Sequence, residues 1–370
     1  MLKTEVFRLP MGSPDDVSAL RKLIESGKCV PEEIVAIIAQ TEGDGYARGY
    51  SQLSFELLLS EKLGIDRSLI FDRIPMLMIG LTGGIMSPHY TVITQKEVPG
   101  QPGSEKRLAV GIEITRPLKP EEIGRNIQIQ LVAEAVKKAM KKAKIEDPAD
   151  VGLVEVKCLN LTPARLQDAQ SRNQAVVSTN FAEAGNMSKG ASALGVALGL
   201  GEIEESQITD DVICKNWDLY TRVGSTSAGN EQIGCKVVLF GNTTASVSDY
   251  VVSNSVMEDQ LDLPGLYAAF RNAGIRIEDG QVVAEDRDRI VNLFVNAGAN
   301  ALPHCRNRRH TMGSDFLSGH AGIMAKAVIN GIVGAVIGDS MILASAGWEH
   351  QGPRGSNLVS LIARVDQSGR

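Results

Sequence analysis

Three runs along the chain are apolar at almost every position: IVAIIAQ (34–40), VGLVEVK (151–157) and VNLFVN (291–296). Each closes on a polar residue, Gln40, Lys157 or Asn296. An aliphatic run without polar alternation marks a strand covered on both faces. Small and aliphatic residues at helical spacing follow each run, over 51–64, 188–203 and 319–336. A second apolar strand then ends in a hydroxyl residue and a glycine turn: MLMIGLTGG with Thr82, RVGSTSAGNE with Ser227, MILASAGWE with Ser345. This order recurs at roughly 120–140 residues, too long for a solenoid repeat. It predicts an α/β fold of three similar units, about 1–104, 105–248 and 249–370, around a pseudo-threefold axis with one central site. The boundary stretches, PGQPGSEKR (99–107) and SVSDYVVSNS (246–255), are turn-rich or polar. A single S/T-x-G after a strand is a common turn; three in one order point to a shared site.

Composition narrows the function. The chain has 370 residues, 43 % of them hydrophobic, and a net charge of −6. That supports a sizeable core and lacks the footprint of a nucleic-acid binder. The dense lysines Lys137, Lys138, Lys141, Lys142 and Lys144 have helical spacing and read as a solvated helix face. Aromatics are 4 % and glycines number 37, so the core is expected to be aliphatic, with close backbone contacts. No apolar run reaches the ~18 residues of a membrane span, and MLKTEVFRLPMGSPDD carries no apolar leader. A cytoplasmic enzyme is expected. The five cysteines, Cys29, Cys158, Cys214, Cys235 and Cys305, form no CxxC pair and read as small buried hydrophobes.

The middle unit holds the candidate chemistry. Lys157 ends an apolar strand, where desolvation favours the neutral amine. Ser227 precedes Ala228 and Gly229, whose backbone N–H groups can face an oxyanion. A neutral lysine beside a serine is a general base for a nucleophile. Equally, a lysine at a strand end can snorkel to the surface. Gln40 and Asn296 do not titrate, so Thr82 and Ser345 are expected to hydrogen-bond a substrate. His89, His310 and His350 are candidate acids or bases, although lone histidines are commonly structural. The turn EHQGPRGSN (349–357) is rich in backbone oxygens but poor in carboxylates, so a hard cation there is not indicated.

SKGASALGVALGLGEI (188–203), RNRRHTM (306–312), ASAGWEHQGPRG (344–355), MSPHYTV (86–92) and TEGDGYARGY (41–50) together resemble the cyanuric acid amidohydrolase/barbiturase family of ring-opening cyclic amide hydrolases. The similarity runs over essentially the whole chain. It implies a lysine, an arginine and a serine from each unit around one pocket, and a middle-unit dyad matching Lys157 and Ser227. Backbone N–H groups after the hydroxyls, at Gly83, Ala228 and Ala346, then grip ring carbonyls. It further implies a homotetramer. This chain departs from the pattern: Gln40 and Asn296 stand at lysine positions, Thr82 at the first serine, and Gln52, Lys189 and Lys326 at the arginines. Lysine and glutamine do not reproduce an arginine fork. The metal loop of the family partly survives at 349–357, but its acidic partner aligns with Gly298, so no cofactor is expected.

The expected activity is therefore C–N bond hydrolysis of a small, polar, anionic cyclic amide or imide other than cyanuric acid. Lys157 and Ser227 are its catalytic pair; Gly229, Lys189, Lys326, Ser345, Gln40, Gln52 and Asn296 join the substrate contacts. Two alternatives stand beside it. One is hydrolytic deamination of a carboxylate-bearing enamine or amide, told apart by ammonia release without ring opening. The other is a ligand-binding relic that turns nothing over.

Overall fold

The computed structural model describes residues 1–43, 45–80, 83–312 and 321–366. The first four-stranded sheet contains β1 (Leu2–Pro10), β2 (Ile34–Gln40), β3 (Met76–Ile79) and β4 (His89–Glu97), in the order β1-β4-β2-β3. The second contains β5 (Arg107–Ile114), β6 (Val151–Leu159), β7 (Gly224–Gly229) and β8 (Lys236–Thr243), in the order β5-β8-β6-β7. Beyond β9 (Tyr250–Met257), a short ribbon pairs β10 (Ile277–Glu278) with β11 (Gln281–Val282). After β12 (Ile290–Ala297), a second ribbon pairs β13 (His304–Cys305) with β14 (Arg308–Arg309). With β15 (Leu343–Ala346) and β16 (Asn357–Arg364), β9 and β12 complete the third sheet, ordered β15-β12-β16-β9. Ranked by chain position, all three sheets read 1-4-2-3. In each, the second and third strands are parallel and the other pairs antiparallel.

Helices cover the sheets outside: α1 (Ser18–Glu25), α2 (Gly45–Leu63) and α3 (Arg67–Arg73) in the first stretch; α4 (Asn126–Lys142), α5 (Pro163–Ser171) and α6 (Phe181–Leu200) in the second; α7 (Leu263–Asn272), α8 (Ala284–Arg287) and α9 (Ala321–Ile337) in the third. Among the described residues no helix is long and apolar enough to cross a membrane. Side-chain alternation explains the unbroken aliphatic runs. On β6, Val154, Val156 and Cys158 pack outward with Val132, Val136 and Val196 of the helices. Leu153 points the other way, into a core shared by all three sheets. There Val6, Ile38 and Leu77 meet Val238, Phe240, Val252 and Ile362, and the Phe240 and Phe294 rings lie 5.9 Å apart. Burying each such side chain contributes about 1.5–3 kcal/mol.

The helix α6 reaches this position because it lies tightly on α4. A Cβ at Gly195 would come 2.8 Å from the Ile129 carbonyl, and one at Gly199 2.9 Å from that of Ala133. Asn180 caps its start by accepting from Ala182 and Glu183, and left-handed Gly201 (φ 73°) ends it. Close glycine contacts were expected. The cysteines agree only in part: Cys29, Cys158 and Cys235 are buried, whereas Cys214 and Cys305 are partly exposed. The lysine face of α4 carries surface ion pairs, Lys138–Glu134 and Lys142–Glu113.

Candidate active site

Alternation also sets where the polar strand ends point. Gln40, Lys157 and Asn296 share the inner-facing parity of Ile38, Leu153 and Phe294 on their strands. All three are buried, at one end of the shared core. The parallel register then pairs Gln40 with Ile79, Lys157 with Ser227, and Asn296 with Ser345. The counterpart of Ser227 and Ser345 in the first sheet is thus Ile79, which carries no hydroxyl. Thr82, the residue expected there, lies three positions further on and outside the described residues. Gly83 packs on Ile323 of α9, with a hypothetical Cβ 2.6 Å from the isoleucine methyl.

A cavity of about 470 Å³ opens beside these strand ends. Lys189, Ser227 and Ala228 meet Lys326, Ser345 and Ala346 there, together with Arg48, Ile79 and Gly80. An adjoining cavity of about 440 Å³ is lined by Lys157, Gln52, Glu231, Met78 and again Arg48. The structure thus gathers most of the expected set. It also adds Arg48 and Glu231. Arg48 stands one helical turn before Gln52, a displacement readable from i,i+4 spacing; Glu231 follows the S-A-G turn without a motif to announce it.

The charges differ in what they hold. Lys157 is fully enclosed and donates to the Met78 carbonyl at 3.2 Å, not to Ser227. Burial pushes its amine below the usual lysine range, and Glu231 partly opposes that. Two residues back, burial pushes Glu155 up to about 8. Lys326 donates to the Gly80 carbonyl at 2.8 Å, and burial, with Arg48 adding repulsion, lowers it to about 8. Lys189 is ion-paired with Glu349 at 2.7 Å.

Other expected contacts are turned inward. The Gln40 amide donates to the Ile79 carbonyl at 3.3 Å and its oxygen accepts from Ala344 N–H at 2.8 Å. Asn296 donates to the Gly347 carbonyl at 2.8 Å. Neither lines the two cavities. Gln52 donates to Glu56 at 2.7 Å, which also binds Arg67. Gly229 lies beneath the Glu231 carboxylate, with no room for a Cβ.

The stretch 349–357 clamps the second sheet. Gln351 accepts from Thr226 N–H at 2.7 Å, next to Ser227. His350 accepts from Cys214 N–H at 2.7 Å through Nε2, which leaves Nδ1 to donate to the Leu219 carbonyl at 2.6 Å. Burial lowers its basicity, so it is a neutral strut. His89 is likewise enclosed and pushed down to about 4 by burial, with Nδ1 against the Ser87 carbonyl at 2.8 Å. These residues do not fit a hard cation. Glu349, the one carboxylate in the stretch, is paired with Lys189, and Gly298 packs on the Ser356 carbonyl too closely for any side chain. Among the described residues no cluster of three or more His, Cys, Asp or Glu could hold a metal.

Three sheets of one topology, with two adjoining cavities at their strand ends, define an α/β protein built from three similar units. The chain belongs to the amidohydrolase ring-opening protein family, whose model matches residues 5–364. It is 40 % identical over 373 residues to a cyanuric acid amidohydrolase of Enterobacter cloacae, covering 98 % of this chain and all of that one. It is 39 % identical to a cyclic amide hydrolase of Azorhizobium caulinodans, with the same coverage. A solved cyanuric acid hydrolase, described as an innovation by structural concatenation, superposes with a TM-score of 0.92 at 37 % identity, covering 98 % of this chain and all of that one. A second, from A. caulinodans, gives 0.88 at 34 %, covering 99 % of this chain and all of that one. The expected class, a hydrolase of C–N bonds other than peptide bonds, agrees with this membership.

Proposed function

We propose that the protein opens the ring of a small cyclic amide or imide using Ser227 as nucleophile and Lys157 as its base. The observation that supports this reading is the β6–β7 register, in which Lys157 and Ser227 are backbone partners on neighbouring parallel strands. Lys157 leaves the Met78 carbonyl, takes the Ser227 proton, and Oγ attacks the ring carbonyl carbon. The oxyanion is held by the Ala228 N–H at the cavity wall, a contact of the kind typically worth about 10²–10³ in rate. As the C–N bond breaks, Lys157 returns the proton to the ring nitrogen. Water, deprotonated by Lys157, then attacks the ester; the bond from carbon to Ser227 Oγ breaks, Lys157 returns the proton to Oγ, and the ring-opened acid is freed.

The three register pairs are chemically unlike: an amide with an isoleucine, an amine with a serine, an amide with a serine. This supports a substrate less symmetric than cyanuric acid, the compound named for the relatives. The test is turnover of a panel of cyclic amides and imides by the purified protein, followed by mass gain of one water, with Ser227→Ala as control. Ring opening by the native protein and none by the variant is expected. Release of ammonia with the ring intact would replace this reading by deamination. We also propose a cytoplasmic homo-oligomer; Tyr46, Tyr50, Leu53 and Leu57 are exposed on one face of α2, and light scattering reads its size.

A further inference from the structure

Four basic side chains line the two cavities: Arg48, Lys157, Lys189 and Lys326. Two are balanced. Lys189 has Glu349 at 2.7 Å, and Glu231 is the strongest opposite charge felt by Lys157. Arg48 and Lys326 remain: Arg48 also feels the Glu231 charge from beyond ion-pair distance, and among the described residues neither cation has a carboxylate within ion-pair distance. They converge on one residue. The Lys326 ammonium donates to the Gly80 carbonyl at 2.8 Å, and the Arg48 stem packs where a Gly80 Cβ would be, at 3.0 Å. Each of the two cations therefore reaches the cavity from a different unit, one on α2 and one on α9.

We propose that Arg48 and Lys326 form a carboxylate-binding site, so that the substrate is a cyclic amide bearing a carboxylate; this rests on the ring-opening reading above. Two neighbouring cations in a half-buried cavity repel and are poorly hydrated. A neutral ring carbonyl leaves that excess charge in place. A carboxylate cancels it, takes the two-pronged arginine fork, and accepts a point charge from the lysine. Arg48 would thus replace the fork missing at Gln52, but aim it at a substituent of the ring.

The experiment compares matched pairs, dihydrouracil with dihydroorotate and uracil with orotate, on the intact protein. A kcat/KM at least about tenfold higher for the carboxylated ring is expected, the usual worth of a charge-assisted contact. Arg48→Gln should shrink that preference about tenfold, Arg48→Lys should restore part of it, and Lys326→Gln should also shrink it. Equal use of both rings, or a preference unmoved by Arg48→Gln, overturns the proposal. If no ring is opened, the ring-opening reading fails, and calorimetric titration with orotate and uracil decides this one. Tighter orotate binding that Arg48→Gln abolishes upholds the site; its absence overturns it.

Discussion

At the same register position, the second sheet carries an amine facing a serine and the third carries an amide facing a serine. The backbone frames match, down to the parallel pair and its antiparallel neighbour. Only the second has a group that can take a proton. The difference teaches that one backbone frame can present a proton acceptor or none, by the choice of a single side chain.

Removing the nucleophile should break the comparison most sharply. Ser227→Ala is expected to lower kcat by about 10⁴–10⁶-fold with unchanged thermal unfolding, while Ser345→Ala retains measurable turnover; a steady-state assay of both distinguishes them. Next, Lys157→Met should cost about 10²–10⁴-fold. The native rate should rise with pH through a value below the ordinary lysine 10.5, because the neutral amine is the base and burial lowers its pKa. A pH–rate profile checks this.

Making the third sheet resemble the second should fail. Asn296→Lys buries an ammonium beside the Gly347 carbonyl that Asn296 now binds, and about 3–5 kcal/mol of stability should be lost, read by urea unfolding. Gln351→Leu removes the acceptor from Thr226 N–H. It should unfold at nearly the native urea concentration yet lower kcat about tenfold, as a loosened site does. The smallest effect has the opposite sign. Folded Lys326 titrates at about 8 against 10.5 when unfolded, so its burial costs stability below pH 8 and nothing above 10.5. Lys326→Met should therefore gain about 1–3 kcal/mol at pH 7 and lose that gain by pH 11.

The strands of the site were legible because they are covered on both faces and therefore aliphatic throughout; β2 and β12 end at or next to their polar residues as the pattern predicts. Helix α2 begins at Gly45, earlier than the pattern suggests, since glycines and tyrosines blur its first turn. Thr82 lies outside the described residues; the register partner of Gln40 is Ile79, which a local turn motif could not indicate because register is fixed by the neighbouring strand. Arg48 escaped because the expected arginine position was filled by Gln52, and the replacement sits one turn away. Gln40 and Asn296 show the limit of reading polarity alone: a polar side chain at a strand end can serve a ligand or the backbone, and here both amide groups donate to backbone carbonyls, while among the described residues the buried Asn296 oxygen has no partner.

The Gln40 carboxamide joins β3 to β15 across 304 positions of sequence. During synthesis, that joint can close only after residue 344 has left the ribosome. The second sheet can cover part of the first sheet's inner aliphatic face, but the cover is complete only when almost the entire chain is made. Such distant closure slows folding and exposes sticky intermediates, so yield in cells should depend on chaperones and translation speed more than on the stability of the finished enzyme.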